Sequence, residues 1–145
     1  MRQLRVNPRP QRLLRVAGQP LAVKAMFRLK VESEFDAAHR LEGYEGKCSR
    51  LHGHTYKAEA FLLAENLDAM GISVDLKALR QMLTAITEPF DHSYLNDIKD
   101  LGNPSTENLA HYIYGKIKGN LPCGVLLERV RVWETPKSWI EYFER

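Results

Sequence analysis

The chain has 145 residues, of which 44% are hydrophobic and 27% are charged. This length and balance are typical of one globular domain, and they exclude a fibrous or largely disordered protein. No apolar run approaches the roughly 20 residues that a membrane-spanning helix needs, so we expect no membrane partner. The two cysteines, Cys48 and Cys123, are too few for a disulfide framework, which favours a reducing, cytoplasmic location.

The net charge of +3 comes from the start of the chain. Residues 1–25 contain six of the 21 basic residues and none of the 18 acidic ones, so the remainder is net negative. This balance gives no support to nucleic acid as a partner of the domain. We predict that residues 1–25 form a basic leader, either disordered or upstream of a true start at Met26, and that residues 26–145 form one domain. A nucleic-acid-binding tail is the weakest alternative for the leader.

The first predicted elements are two strands. Apolar and charged residues alternate from Phe27 to Phe35, which predicts a strand with one buried face. Residues 40–50 contain two glycines and several charges and are predicted to form a loop. A second strand is predicted from His52 to about Leu63.

Two helices and two further strands follow in the prediction. Asp75 is a candidate N-cap for a helix that Pro89 ends, and a second helix begins near Ser105 and stops at Gly119. Residues 91–104 between them are polar and are predicted to form turns. The last strands are predicted over about 125–134 and 139–143. The order predicts an α+β domain, with an antiparallel four-stranded sheet covered by two helices on one face.

Two histidines on one strand suggest a metal site. His52 and His54 are two residues apart, so their side chains point to the same side of the strand. The preceding loop folds the chain back, which can bring His39 beside them. Three imidazoles on rigid strands can bind zinc with a fourth position open to substrate or water. A chance His-x-His pair is the alternative at this point.

Cys48 lies four residues before His52 and allows different interpretations. As a fourth ligand it would close a structural zinc site, although such sites generally contain more than one thiolate. As a free thiol near a metal it would be a usable base or nucleophile. A buried, inert cysteine is the third possibility.

Two further groups carry candidate chemistry. Asp91 precedes His92 in a predicted turn, and a carboxylate beside an imidazole suits proton transfer. Glu134 ends a strand, where its carboxylate could accept paired hydrogen bonds from a flat heterocycle with N–H groups. Taken alone, an Asp–His pair is more often exposed with a local hydrogen bond, and the alternative for Glu134 is a strand-end charge in water.

Five segments in order resemble the 6-pyruvoyltetrahydropterin synthase superfamily, and more narrowly its bacterial 6-carboxytetrahydropterin synthase branch. The segments cover residues 35–41 with 48–56, 74–79, 90–97, 103–110 and 132–135. The resemblance extends from residue 27 to about residue 143. Three residues separate Cys48 from His52, which is the spacing of the carboxytetrahydropterin synthases; the pyruvoyl-type enzymes have a longer gap.

The resemblance implies the tunnelling fold, with the order strand, strand, helix, helix, strand, strand. It also implies trimers whose sheets close a barrel, and two stacked trimers that form a homohexamer with active sites between subunits. One Zn²⁺ ion per subunit is implied. The matching metal ligands are His39, His52 and His54.

The resemblance also implies a catalytic set. Cys48 matches the catalytic base, and Asp91 and His92 match its partner dyad. Glu134 matches the anchor for the pterin ring. The segment beside the pterin contains Thr106 and Glu107, although the Ser105–Thr106 pair departs from the usual family pairing.

The implied reaction is zinc-dependent conversion of 7,8-dihydroneopterin triphosphate to 6-carboxy-5,6,7,8-tetrahydropterin, acetaldehyde and triphosphate. This carbon–carbon lyase belongs to queuosine biosynthesis and needs no external redox cofactor. Two alternatives remain at this stage. One is the pyruvoyl-type reaction, which eliminates triphosphate without cleaving a carbon–carbon bond. The other is a non-catalytic zinc-binding module in which Cys48 is a ligand.

Overall fold

A computed structural model describes residues 24–145 together with the backbone of two earlier strands. These strands, β1 (Leu13–Val16) and β2 (Gln19–Ala22), pair antiparallel with each other and form a sheet of their own. The rest of residues 1–23 lies outside the described residues. The expectation that residues 1–25 form a leader separate from the domain therefore stays a prediction.

The main sheet contains five strands. They are β3 (Phe27–His39), β4 (His52–Ala64), β5 (Ser93–Tyr94), β6 (Val125–Thr135) and β7 (Ser138–Tyr142). Their order across the sheet is β5-β3-β4-β6-β7. Strands β3 and β4 pair over their whole lengths, from Phe27 opposite Ala64 to His39 opposite His52. This register places the end of β3 beside the start of β4, where the three candidate metal-binding histidines lie.

Two helices follow the pattern that their caps predict. Helix α1 (Leu76–Thr87) begins after Asp75, whose side chain accepts hydrogen bonds from the Lys77 and Ala78 N–H groups. Helix α2 (Thr106–Lys118) begins after Ser105, whose side chain accepts from the Asn108 N–H. Each cap satisfies N–H groups that would otherwise be unpaired. Both helices therefore begin where the sequence predicts.

The core lies between the helices and one face of the sheet. Alternate residues of β3 and β4, such as Phe35, Tyr56 and Leu62, are almost fully buried there. From the helices, Leu83 and Ile113 pack into the same core. The opposite face of the sheet carries mainly charged residues. This division follows from the two-residue period of the strands.

The sheet differs in one respect from the predicted four antiparallel strands. Strand β5 adds a fifth strand and pairs parallel with β3, with Ala37 opposite Ser93 and Ala38 opposite Tyr94. Two residues are too few to show an alternating pattern, so the segment had the sequence character of a turn. The predicted α+β class, the order of the other elements of this domain and the helix positions are confirmed. In the described part of the chain, no helix is both long and apolar enough to cross a membrane.

Candidate metal centre and active site

The paired ends of β3 and β4 bring three histidines together. His39 is the last residue of β3 and lies opposite His52, the first residue of β4. His54 follows two residues later and points to the same face. The ring centroids lie 4.5 Å apart for His39 and His52, 4.9 Å for His52 and His54, and 5.3 Å for His39 and His54. The predicted association of the three imidazoles is therefore present in the structure.

Backbone carbonyls orient two of these rings. His39 Nδ1 lies 2.7 Å from the Pro104 carbonyl oxygen, and His52 Nδ1 lies 2.7 Å from the Arg50 carbonyl oxygen. A carbonyl only accepts, so each ring carries its proton on Nδ1. The two Nε2 atoms are 3.0 Å apart, and both present lone pairs. This arrangement favours a cation between them.

The third imidazole and a carboxylate complete the group. His54 Nε2 is buried and has no hydrogen-bond partner among the described residues. It lies 3.2 Å from Glu134 Oε1, a distance typical of a charge pair but without hydrogen-bond alignment. The other oxygen of Glu134 accepts a hydrogen bond from the Thr106 hydroxyl. Burial lowers the pKa of His54 and the two neighbouring imidazoles act in the same direction, whereas Glu134 opposes them.

The donor set fits a metal ion. One ligand atom from each of the three histidines and from Glu134 lies within 4.8 Å of the others. All four are lone-pair donors, and the buried His54 nitrogen otherwise lacks a partner. Nitrogen and carboxylate ligands in fourfold arrangement are typical of zinc, with Glu134 either a ligand or a neighbour of an open fourth position. Carbonyl contacts to the outer ring nitrogens are common at such sites.

Tyr56 also contributes to this centre, and sequence analysis did not identify it. Its side chain is fully buried, and its hydroxyl oxygen lies 3.2 Å from His39 Nε2 and 3.3 Å from His39 Nδ1. Burial raises the pKa of Tyr56, and the negative charge of Glu134 adds to this, so the phenol stays protonated. Tyr56 follows His54 by two residues, and that period was the signal available in the sequence.

The Asp91–His92 pair lies in the turn before β5 and contacts Asp36 of β3. His92 and His54 both line a cavity of about 690 Å³. His92 Nδ1 lies 3.0 Å from Asp91 Oδ2. The backbone N–H of Asp36 and then the contact with His92 lower the pKa of Asp91. His92 has a φ of 53°, an uncommon value for a residue with a side chain. The structure thus places the predicted dyad against Asp36, in a carboxylate–histidine group that is separate from the metal group.

The remaining predicted site residues are Cys48, Thr106 and Glu107. Cys48 is in a short 3₁₀ helix (Lys47–Ser49), half-buried and with a free thiol. In the described chain, the four-residue ligand group contains Glu134 and not Cys48, which disfavours a closed Cys-His₃ site. Glu107 lines a small cavity of about 110 Å³ together with Thr106 and Glu134. The residues expected beside the pterin ring therefore lie together.

Known proteins resemble the chain over most of its length. Residues 28–145 match the family model described as 6-pyruvoyl tetrahydropterin synthase. A Haemophilus influenzae protein named 6-carboxy-5,6,7,8-tetrahydropterin synthase is 30% identical over an alignment of length 143, gaps included, that covers 82% of this chain and 100% of that protein. A Pyrococcus furiosus protein named dihydroneopterin monophosphate aldolase is 35% identical over 114 residues, covering 79% of this chain and 95% of the relative.

A solved structure agrees with the fold. The structure of Caenorhabditis elegans 6-pyruvoyl tetrahydropterin synthase superposes with a TM-score of 0.72 at 27% identity. The superposition covers 83% of this chain and 97% of the nematode protein. The tunnelling fold expected from the sequence is confirmed.

Proposed function

Because the chain belongs to the 6-pyruvoyl tetrahydropterin synthase family, we propose that it is a zinc-dependent carbon–carbon lyase. It converts 7,8-dihydroneopterin triphosphate to 6-carboxy-5,6,7,8-tetrahydropterin, acetaldehyde and triphosphate. The observation that supports the proposal is the convergence of three imidazoles and Glu134 on one group of ligand atoms. The name of the Haemophilus influenzae relative supports the choice of product.

His39, His52 and His54 would hold the zinc ion. When bound, zinc supplies Lewis-acid chemistry that acidifies the hydroxyl groups of a substrate side chain. The chain itself contributes the orientation of the ligands. The carbonyls of Pro104 and Arg50 keep the His39 and His52 protons on Nδ1, which leaves both Nε2 atoms free to bind.

Glu134 would anchor the pterin ring. Its carboxylate is oriented by the Thr106 hydroxyl and can accept hydrogen bonds from ring N–H groups. Thr106 is only 4% exposed, so its hydrogen bond to Glu134 is already formed before the substrate binds. Fixing the ring in this way aligns the side-chain carbons with the proton-transfer groups, an effect worth up to about 7–11 kcal/mol in favourable cases.

Proton transfer would involve Cys48 on one side and His92 on the other. Cys48, as a thiolate, removes a proton from the side-chain carbon next to the ring. His92, oriented by Asp91 at 3.0 Å, exchanges protons with the substrate from the cavity that His54 also lines. General acid–base groups of this kind contribute roughly 10²–10⁴-fold to rate.

Two related reactions are the alternatives. The pyruvoyl-type reaction eliminates triphosphate but retains the carbon–carbon bond, in line with the family's description. The Pyrococcus furiosus relative is named as an aldolase for dihydroneopterin monophosphate, which favours a different phosphorylation state. All three reactions use the same heterocycle, so the site geometry supports each of them.

We also propose a homohexamer of two stacked trimers in the cytoplasm. In the described sheet, β7 has one neighbouring strand and β5 covers only two residues of β3, so both edges can pair further. The free thiols of Cys48 and Cys123 are compatible with a reducing compartment.

Product analysis tests the proposed function. The zinc-loaded protein is incubated separately with dihydroneopterin triphosphate and dihydroneopterin monophosphate, and the pterins and aldehydes are identified by mass spectrometry. Carboxytetrahydropterin with equimolar acetaldehyde, formed from the triphosphate, is the expected result. A pyruvoyl product without acetaldehyde, or turnover of the monophosphate alone, would assign the chain to one of the alternatives. No turnover of either substrate would refute the enzymatic proposal.

A further inference from the structure

Two asparagine side chains hold the loop that follows β3. Strand β5 pairs with β3 as far as Tyr94 opposite Ala38. Two residues further along both segments, the Asn96 side chain continues this pairing. Its Oδ1 accepts a hydrogen bond from the Arg40 N–H at 3.0 Å, and its Nδ2 donates to the Arg40 carbonyl at 3.0 Å. A side-chain amide carries the donor and the acceptor of a peptide group, so Asn96 replaces one residue of a neighbouring strand.

Asn103 forms the same pair of hydrogen bonds two residues later in the loop. Its Oδ1 accepts from the Glu42 N–H at 3.0 Å, and its Nδ2 donates to the Glu42 carbonyl at 3.1 Å. The Asn103 carbonyl accepts in turn from the Asn108 side chain at 2.7 Å, which fixes Asn103 to the first turn of α2. The loop is therefore attached to the rest of the domain at both Arg40 and Glu42.

The loop residue between these two attachment points binds the backbone of Cys48. The Leu41 N–H donates to the Cys48 carbonyl at 2.8 Å, which extends the hairpin of β3 and β4 beyond His39. The residue after Asn103 also contacts a metal ligand, because His39 Nδ1 donates to the Pro104 carbonyl at 2.7 Å. The position of the Cys48 loop relative to His39 is thus set by the segment that contains the two asparagines.

We propose that Asn96 and Asn103 are positioning residues for Cys48, and that they keep its loop in one place beside the metal ligands. This inference rests on the proposed function for the catalytic role of Cys48, whereas the restraint on the loop can be measured without turnover. Neither asparagine contacts the substrate. Both pairs of hydrogen bonds lie at the surface, where water competes with them. Loss of one pair predicts that the loop opens roughly fivefold to tenfold more often.

The first test measures how fast iodoacetamide alkylates Cys48 in the zinc-loaded protein, with Cys123→Ser in every variant to remove the other thiol. The Cys48 side chain is half-buried, so opening of the loop exposes it further. We expect Asn96→Ala and Asn103→Ala each to raise the alkylation rate roughly threefold to tenfold. Asn120→Ala is the matched control, because it removes a hydrogen bond from an asparagine side chain to a backbone carbonyl after the end of α2. Alkylation at the control rate in both loop variants would overturn the proposal.

The second test is a double-mutant cycle on turnover. Asn96→Ala should lower kcat several-fold with KM and zinc content unchanged, because it misplaces the thiol and leaves the metal ligands in position. If Asn96 acts through Cys48, adding Asn96→Ala to Cys48→Ser should cause no further loss. An equal loss in both backgrounds would show a purely structural role and overturn the proposal, as would loss of zinc from Asn96→Ala. If the protein turns over no pterin, the proposed function fails, and the alkylation rates still decide whether the asparagines hold the loop.

Discussion

Replacing Thr106 with valine tests whether the Thr106 hydroxyl orients the Glu134 carboxylate for binding of the pterin ring. The Thr106 hydroxyl donates to Glu134 Oε2, while Oε1 lies 3.2 Å from His54 Nε2. Valine preserves the branched shape of threonine at this buried helix start but cannot donate. Without the donor, the carboxylate is free to rotate toward the metal group. We therefore expect weaker pterin binding with little change in folding.

The size of the effect follows from the contact. Hydrogen bonds to charged groups contribute about 1.5–3 kcal/mol, and the 32% exposure of the Glu134 side chain places this one near the lower limit. A loss of about 1.5 kcal/mol corresponds to about tenfold in affinity. The variant also lacks this hydrogen bond when no pterin is bound, so only part of the energy affects binding. We therefore expect the pterin affinity to decrease threefold to tenfold.

Fluorescence titration with a non-reactive pterin measures this affinity, and elemental analysis measures zinc per chain. Thr84→Val, at an exposed position of α1, is the matched control because it removes a hydroxyl far from the site. Unchanged pterin affinity in Thr106→Val would refute the view that the Thr106 hydroxyl orients the Glu134 carboxylate for binding. Loss of zinc in the variant would show instead that Glu134 acts mainly as a metal ligand.

Two further predictions concern the thiol proposed as the catalytic base and a buried charge. Cys48→Ser should retain zinc and lose at least about 100-fold in turnover, as expected for a base; loss of zinc would indicate a metal ligand instead. Burial favours the neutral form of Glu59, but hydrogen bonds from Trp133 and Lys30 outweigh it, so its pKa in the folded protein is lowered from 4.5. Such a carboxylate stabilises the fold above its unfolded-state pKa, and this contribution is lost as pH falls through the folded value. Glu59→Gln should therefore cost about 1–2 kcal/mol of unfolding free energy at pH 7, measured by urea denaturation, and this cost should shrink progressively as the pH falls below 4.5; a cost that stays constant with falling pH would contradict the assignment.

The association of the three histidines could be predicted from the sequence because strand geometry is regular. A two-residue period predicts that His52 and His54 share a face, and the loop at residues 40–50, which folds the chain back, allows His39 to lie beside them. Helix starts at Asp75 and Ser105 were equally accessible, since a capping side chain satisfies the N–H groups next to it in sequence. These features depend on local chemistry, and the structure agrees with them.

Strand β5 and the contacts around His92 could not be predicted from the sequence in the same way. Strand β5 is two residues long and exists because Ser93 and Tyr94 meet β3, some 55 residues earlier in the chain. The contact of Asp36 with the dyad has the same origin. No period or cap in the sequence indicates a pairing between such distant segments.

The sequence by itself determined the order of the two helices and of four strands of the main sheet, the buried face of β3 and the set of imidazoles that could bind a metal. These follow from periodicity and capping, which act between near neighbours. Only the tertiary structure decided that Glu134 joins the imidazoles, that Pro104 and Arg50 orient the His39 and His52 rings, and that Tyr56 packs against His39. Those contacts depend on the register of β3 against β4 and on the packing of α2 against the sheet. They are therefore properties of the folded chain and not of any single segment.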